Sequence, residues 1–153
     1  MISLKKKILN KKIDIAIIGL GYVGLELALN IAKKKYNVIG FDKNKKKIEL
    51  IKKNQSPINT IKNERIRLLN KRNLHTLKNI NLLTKCDVII ICLPTPLKKN
   101  LKPDNKYLIE CFNTIFPYLK KNQILILEST VHPLATQKIF GNKISKKFDI
   151  GKN

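Results

Sequence analysis

From Ile13 onward, short apolar runs alternate with longer stretches in which apolar residues recur every three or four positions. Ile13, Ile15, Ala16, Ile17 and Ile18 form a β-branched-rich run, the pattern of a strand covered on both faces. Val23 to Ala32 reads as a helix, Tyr36 to Phe41 as a second strand and Lys43 to Lys53 as a second helix. Ser56 and Pro57 open a polar connection, after which Asn63 to Leu69 carries Ile66, Leu68 and Leu69 on a short helix. Asn79 to Leu83 gives a shorter strand signal, and Asp87 to Leu93 that of a buried strand. Asp104 to Leu119 places Leu108, Ile109, Phe112, Ile115 and Phe116 at helical spacing with Pro117 near its end, and Gln123 to Glu128 is the next strand. Alternating β and α elements in short connections predict an α/β domain: a doubly wound parallel sheet with helices on both faces. In such sheets ligands sit beyond the carboxyl ends of the strands.

The first such end carries chemistry. Ile13 to Ala28 read IDIAIIGLGYVGLELA, with Gly19, Gly21 and Gly24 spaced as Gly-x-Gly-x-x-Gly where the strand hands over to the helix. The motif is weak alone and gains weight from this context. Gly19 allows a tight turn, Gly21 lets the backbone approach a pyrophosphate, and Gly24 lets the helix pack closely on the strand. Tyr22 and Val23 follow at the helix start, whose unpaired N–H groups and partial positive charge suit an anion. The next strand ends at Asp42, about twenty residues past the glycines, where a dinucleotide fold places the acid that hydrogen-bonds the adenosine ribose. Asp42 repels the extra phosphate of NADP, so the expected cofactor is NAD, although Lys43, Lys45, Lys46 and Lys47 follow at once. The expected architecture is therefore Rossmann-like, a single domain with strand order 3-2-1-4-5-6 and its last strand incomplete or missing.

Two more strand ends fall on the same edge. CLPTPL, Cys92 to Leu97, holds Thr95 between two prolines, and ESTVHP, Glu128 to Pro133, holds Thr130. A threonine in a strand-to-helix loop serves as a cap or as a ligand contact, and spacing alone leaves both readings open. Glu128 and His132 read as structural residues rather than as an acid/base pair.

Charge changes the picture less than its size suggests. The 153 residues carry 32 basic and 10 acidic side chains, a formal charge of +22, and all the basic residues except Arg65, Arg67 and Arg72 are lysine. The chain is also crowded with Asn and Ile, which share A/T-rich codons with Lys. The lysines fall at the ends of elements, not along one helical face interleaved with aromatics, so nucleic-acid contact is expected to be nonspecific only. Cys86, Cys92 and Cys111 form no C-x-x-C pair, which fits a reducing compartment. No run approaches the ~20 apolar residues of a membrane span, and MISLKKKILNKK lacks a signal peptide's apolar core. The expectation is a cytoplasmic chain without membrane contact: a basic extension over 1–12 and one domain over 13–153.

GLGYVGLELAL, VIGFD, DVIIICLPTPL, KPD and ESTVHP, in this order, resemble the NAD-binding domain of the UDP-glucose/GDP-mannose dehydrogenase family. SPINTIKNERI, with PTPL and ESTV, most resembles the branch that oxidises UDP-N-acetylglucosamine. The resemblance implies that the turn around Val23 holds the pyrophosphate, Asp42 the ribose, and Lys47 the adenosine end. It implies that Thr95 lies near the cofactor and Thr130 near the nicotinamide and a reaction water. It further implies oxidation of a UDP-sugar C6 alcohol to the carboxylate in two hydride transfers to NAD, for surface polysaccharide precursors, through a thioester on a cysteine.

The departures set further expectations. None of the three cysteines matches the family's G-F-G-G-x-C nucleophile, and Phe148 to Gly151 fall where the last strand of the cofactor domain would begin. The chain alone is thus expected to be inactive, with the UDP-sugar site supplied by a separately encoded C-terminal half, a homo-oligomer being possible. The alternatives are a degenerate or non-catalytic dinucleotide-binding module and a basic nucleic-acid-binding protein. Glu26 stands where the family usually has proline, near the pyrophosphate site, and Leu134 and Ala135 replace a Gly-Thr, which puts the Thr130 loop geometry in question.

Overall fold

The computed structural model describes residues 4–97, 104–131 and 134–148. Five strands form one wholly parallel sheet: β1 (Asp14–Ile18), β2 (Asn37–Phe41), β3 (Leu74–His75), β4 (Val88–Ile91) and β5 (Ile124–Leu127). Their order, β3-β2-β1-β4-β5, is the expected one for the strands present. The helices are α1 (Leu4–Leu9), α2 (Tyr22–Lys33), α3 (Lys45–Lys52), α4 (Asn63–Ile66), α5 (Lys106–Ile115) and α6 (Asn142–Phe148).

The central strands β1 and β4 are apolar at every position after Asp14 because both faces are covered. Ile15 and Ile17 of β1, with Val88 and Ile90 of β4, pack with Leu25, Ala28 and Leu29 of α2 and Ile48 and Ile51 of α3. Ala16 and Ile18, with Ile89 and Ile91, pack instead with Leu108, Phe112 and Ile115 of α5 and with Phe140. The period-two alternation of strand side chains thus serves two cores rather than one core and solvent.

The third strand differs from the sequence expectation. Asn79 to Leu83 is not a strand but part of a 3-10 segment, Leu77–Lys85, with a kink at Asn79. Leu77, Ile80 and Leu83 recur every third residue, so a helix of three residues per turn puts them on one side, against the α5 core. The strand is two residues long and earlier, where Leu74 and His75 pair with Gly40 and Phe41. At the other end, Phe148 closes α6 rather than opening a strand, and residues 149–151 lie outside the described residues. A π-helical turn, Gln137–Gly141, leads into α6 and sets Phe140 against Phe112, ring centroids 4.5 Å apart.

The basic N-terminal segment is docked. Leu4 and Ile8 of α1 pack on the α2 core, the Tyr36 hydroxyl donates to the Ile8 carbonyl, and Lys7 Nζ lies 2.6 Å from Asp87 Oδ1. Asp87 Oδ2 also accepts from the Asp14 N–H, so one carboxylate ties α1 to the entrances of β1 and β4. Among the described residues, no helix is long and apolar enough to cross a membrane.

Candidate functional site

The carboxyl ends of β1, β2, β4 and β5 open into a cavity of about 640 Å³. The turn from β1 to α2 forms its floor. Gly19 adopts φ +93°, a conformation only glycine enters freely, and its N–H donates to the Phe41 carbonyl at 2.8 Å. A side chain on Gly24 would collide with the Gly19 carbonyl oxygen and come within 3.0 Å of the Cys92 Cβ. Gly24 is thus buried between helix and strand and does not line the cavity. Around Gly21, nothing lies within 4 Å of where a Cβ would sit. That open space over the start of α2 is what a pyrophosphate needs to reach the backbone N–H groups. Tyr22 and Val23 border it and are largely exposed.

Asp42 ends β2 and is 6 % exposed. Its Oδ2 accepts from the Leu20 N–H at 2.9 Å and from Lys47 Nζ at 2.7 Å, and its Oδ1 accepts from the Asn44 N–H at 2.8 Å. A buried carboxylate has to be satisfied in this way. Asn44 caps α3 by accepting from the Lys47 N–H, which fixes the lysine one turn from the acid.

The loops after β4 and β5 meet. Thr95 Oγ1 donates to the Thr130 carbonyl at 2.5 Å, and the Leu93 N–H donates to Ser129 Oγ at 3.0 Å. The two loops, 35 residues apart, thus form one wall of the cavity, with Thr130 exposed on it and Thr95 and Ser129 half-buried. His132 lies outside the described residues.

Gly19, Gly21, Tyr22, Val23, Asp42, Lys47, Thr95 and Thr130 therefore share one cavity, and Gly24, read from the sequence with them, is not in its lining. That reading missed the opposite wall. Tyr107, Glu110, Cys111 and Thr114 of α5 line it, and Lys43 lies with its ammonium 4.7 Å from the Tyr107 ring centroid. The signal was available: 107, 110, 111 and 114 form a second helical stripe beside the buried stripe of Leu108, Phe112 and Ile115.

Glu26 does not enter the site. Its carboxylate takes a paired grip from Arg65, 2.6 Å to Nη2 and 2.9 Å to Nη1, and is absent from the cavity lining. That hydrogen-bonded guanidinium holds the Glu26 carboxyl below its ordinary range. Leu134, where the family pattern has glycine, sits at φ +65° in the left-handed region and is exposed, while Ala135 is buried. The backbone keeps the shape that glycine would adopt freely.

The cysteines are free thiols, Cys86 and Cys92 buried and Cys111 half-buried. Burial pushes Cys86 and Cys111 up to about 12 and Cys92 up to about 11, so none holds a thiolate at neutral pH. Among the described residues no cluster of His, Cys, Asp or Glu could hold a metal.

The model of the UDP-glucose/GDP-mannose dehydrogenase family NAD binding domain matches residues 13–153. A UDP-N-acetyl-D-glucosamine 6-dehydrogenase of Pseudomonas aeruginosa is 38% identical over 127 residues, covering 83% of this chain and 29% of the relative. One of Salmonella typhi is 40% identical over 126 residues, covering 82% and 29%. The structure of a UDP-D-ManNAc dehydrogenase from Pyrococcus horikoshii superposes with a TM-score of 0.76 at 30% identity, covering 87% of this chain and 32% of that one. The chain spans about three tenths of the length of these relatives.

Proposed function

The chain belongs to the UDP-glucose/GDP-mannose dehydrogenase family as an NAD-binding domain, and from that premise we propose that it is the cofactor-holding part of a UDP-sugar 6-dehydrogenase. The observation that carries the reading is the open space at Gly21 beside the satisfied Asp42, both on one cavity with Thr95 and Thr130. Bound NAD supplies the hydride acceptor. The backbone at Gly21, Tyr22 and Val23 receives the pyrophosphate at the positive end of α2. Asp42 orients the ribose through the one acceptor position left on Oδ1, and Lys47 fixes that carboxylate. Thr95, locked to the Thr130 carbonyl, keeps the nicotinamide wall closed and leaves the Thr130 hydroxyl for the reacting end.

In this reading residues 13–153 are the cofactor domain and 1–12 a basic extension. The substrate is a UDP-N-acetylhexosamine or UDP-glucose, the product a uronate for surface polysaccharide, and the compartment the cytoplasm. The sugar site and the nucleophilic cysteine are supplied from outside residues 1–153, which span about three tenths of the relatives' length. Two measurements test the proposal. Calorimetry should show NAD binding, weakened by about 1 to 3 kcal/mol in Asp42→Ala; a chain with no affinity for NAD refutes the reading. With UDP-N-acetylglucosamine or UDP-glucose, residues 1–153 alone should produce no sustained NADH absorbance, because none of Cys86, Cys92 and Cys111 matches the family's nucleophile segment. Turnover that persists when all three are replaced would show that the chemistry runs without a thioester.

A further inference from the structure

Lysines at the ends of elements become neighbours once the strands pair in parallel, because every strand then enters the sheet at one edge. Val38, Ile15, Val88 and Ile124 are matched in register across β2, β1, β4 and β5. Three residues ahead of each stands an exposed lysine: Lys35, Lys12, Lys85 and Lys121. With strands about 4.8 Å apart, the four form a rank about 15 Å long across the amino edge of the sheet. The strand entrances are tied level, since the Asp87 N–H donates to the Asp14 carbonyl at 2.9 Å, the Ile124 N–H to the Asp87 carbonyl at 3.0 Å, and Asn37 Nδ2 to Asp14 Oδ1 at 2.6 Å. A/T-rich coding accounts for how many lysines the chain has, and the register for why these four stand abreast. Among the described residues none of the four makes an ion pair or a side-chain hydrogen bond. Lys11, Lys34 and Lys120, one residue further out, are exposed as well. The carboxylates at this edge are half-buried and already met, Asp14 by Asn37 and Asp87 by Lys7 and the Asp14 N–H. Glu110 and Glu128 line the cavity at the opposite edge. Like charges side by side repel, and a polyanion laid along them relieves that repulsion.

We propose that the amino edge of the sheet is a docking face for the phosphate backbone of duplex nucleic acid, held without regard to base sequence and on the side of the domain opposite the cofactor cavity. The inference is independent of the NAD-site reading. What the edge lacks selects this partner. Bases are read by arginine forks or stacked on exposed aromatics. The rank is all lysine, and the adjoining aromatics Tyr36 and Tyr118 are half-buried, the Tyr36 hydroxyl being given to the Ile8 carbonyl. A bilayer surface asks for an apolar band beside the charge, whereas Leu9 and Ile124, the large apolar residues exposed at this end, stand singly. A duplex asks only for point charges, which lysine supplies, because it carries a phosphate about every 1.7 Å of its axis.

Fluorescence anisotropy of a short labelled DNA duplex, titrated with the chain across a salt series, tests this. The logarithm of the affinity should fall against that of salt with a slope of about −4 or steeper. Lys12→Gln, Lys35→Gln, Lys85→Gln and Lys121→Gln combined should weaken binding at least about tenfold and flatten the slope by about three. Arginine at the same four positions keeps the charge and should keep the slope. Glutamine at Lys45, Lys46, Lys62 and Lys78, exposed lysines away from the strand entrances, removes equal charge and should change the affinity by no more than about threefold. Duplexes of unrelated sequence should bind alike, and saturating NAD should leave the affinity unchanged. Equal losses from the two sets of four would mean that overall charge does the binding, and would overturn the inference. So would no binding at low salt, displacement of the duplex by NAD, or tighter binding to phosphatidylserine vesicles than to the duplex.

Discussion

The turn after β1 and the paired loops after β4 and β5 line the same cavity but rest on different physics. In the turn, backbone is pressed on backbone: Gly24 sits against the Gly19 carbonyl and Cys92, and no side chain fits. The loop wall is held by polar bonds between segments distant in sequence, Thr95 to Thr130 and Leu93 to Ser129. A steric constraint is intolerant and local. A hydrogen-bonded one is graded, and its worth depends on a partner that the local sequence does not name.

Breaking the steric region should give the largest effect. Gly24→Ala places a methyl group into fixed backbone and should cost about 3 kcal/mol in denaturant unfolding. Gly21→Ala meets no neighbour, so stability should move by no more than about 0.5 kcal/mol, while NAD affinity falls because the methyl occupies the approach to the α2 N–H groups. Equal destabilisation by the two variants would erase the difference between a packing glycine and a binding glycine.

The loop region should respond more gently and in both directions. Leu134 holds a left-handed conformation while exposed, so Leu134→Gly should raise stability by about 1 kcal/mol once the strain is relieved. Thr95→Val keeps the shape but removes the donor to the Thr130 carbonyl, and should cost about 0.5 to 1 kcal/mol of stability with weaker NAD binding. If Thr95→Val left both unchanged, the two loops would be held together by packing alone.

The smallest effect belongs to the β3 side. Burial, aided by Lys52, lowers His75 below its ordinary value of 6.5. The folded chain thus binds fewer protons than the unfolded one, and stability falls as pH drops from 6.5 toward the lowered value, with no contribution above 6.5. Thermal melts across that window should slope upward with pH, and His75→Gln should flatten them.

The sequence by itself determined the strands β1, β2, β4 and β5, the helices between them, the glycine turn and the acid at Asp42. These are set by local periodicity and sterics, and the family resemblance rests on the same residues. It did not reveal β3, because Leu74 and His75 become a strand only when Gly40 and Phe41 pair with them, and the Leu77, Ile80, Leu83 spacing is legible only against a core. Sequence also could not say where Glu26 points. Its position suggested a charge beside the pyrophosphate, and only the packing of α4 on α2 brings Arg65 within 2.6 Å to take it. The same holds for Asp42: the residue was evident, but Lys47 closing on it and Lys43 resting on Tyr107 are contacts between elements. Chain neighbours fix which groups exist at the sheet's carboxyl edge. The tertiary structure decides which charges remain unspent there, because electrostatic balance in a cavity depends on every element that faces it.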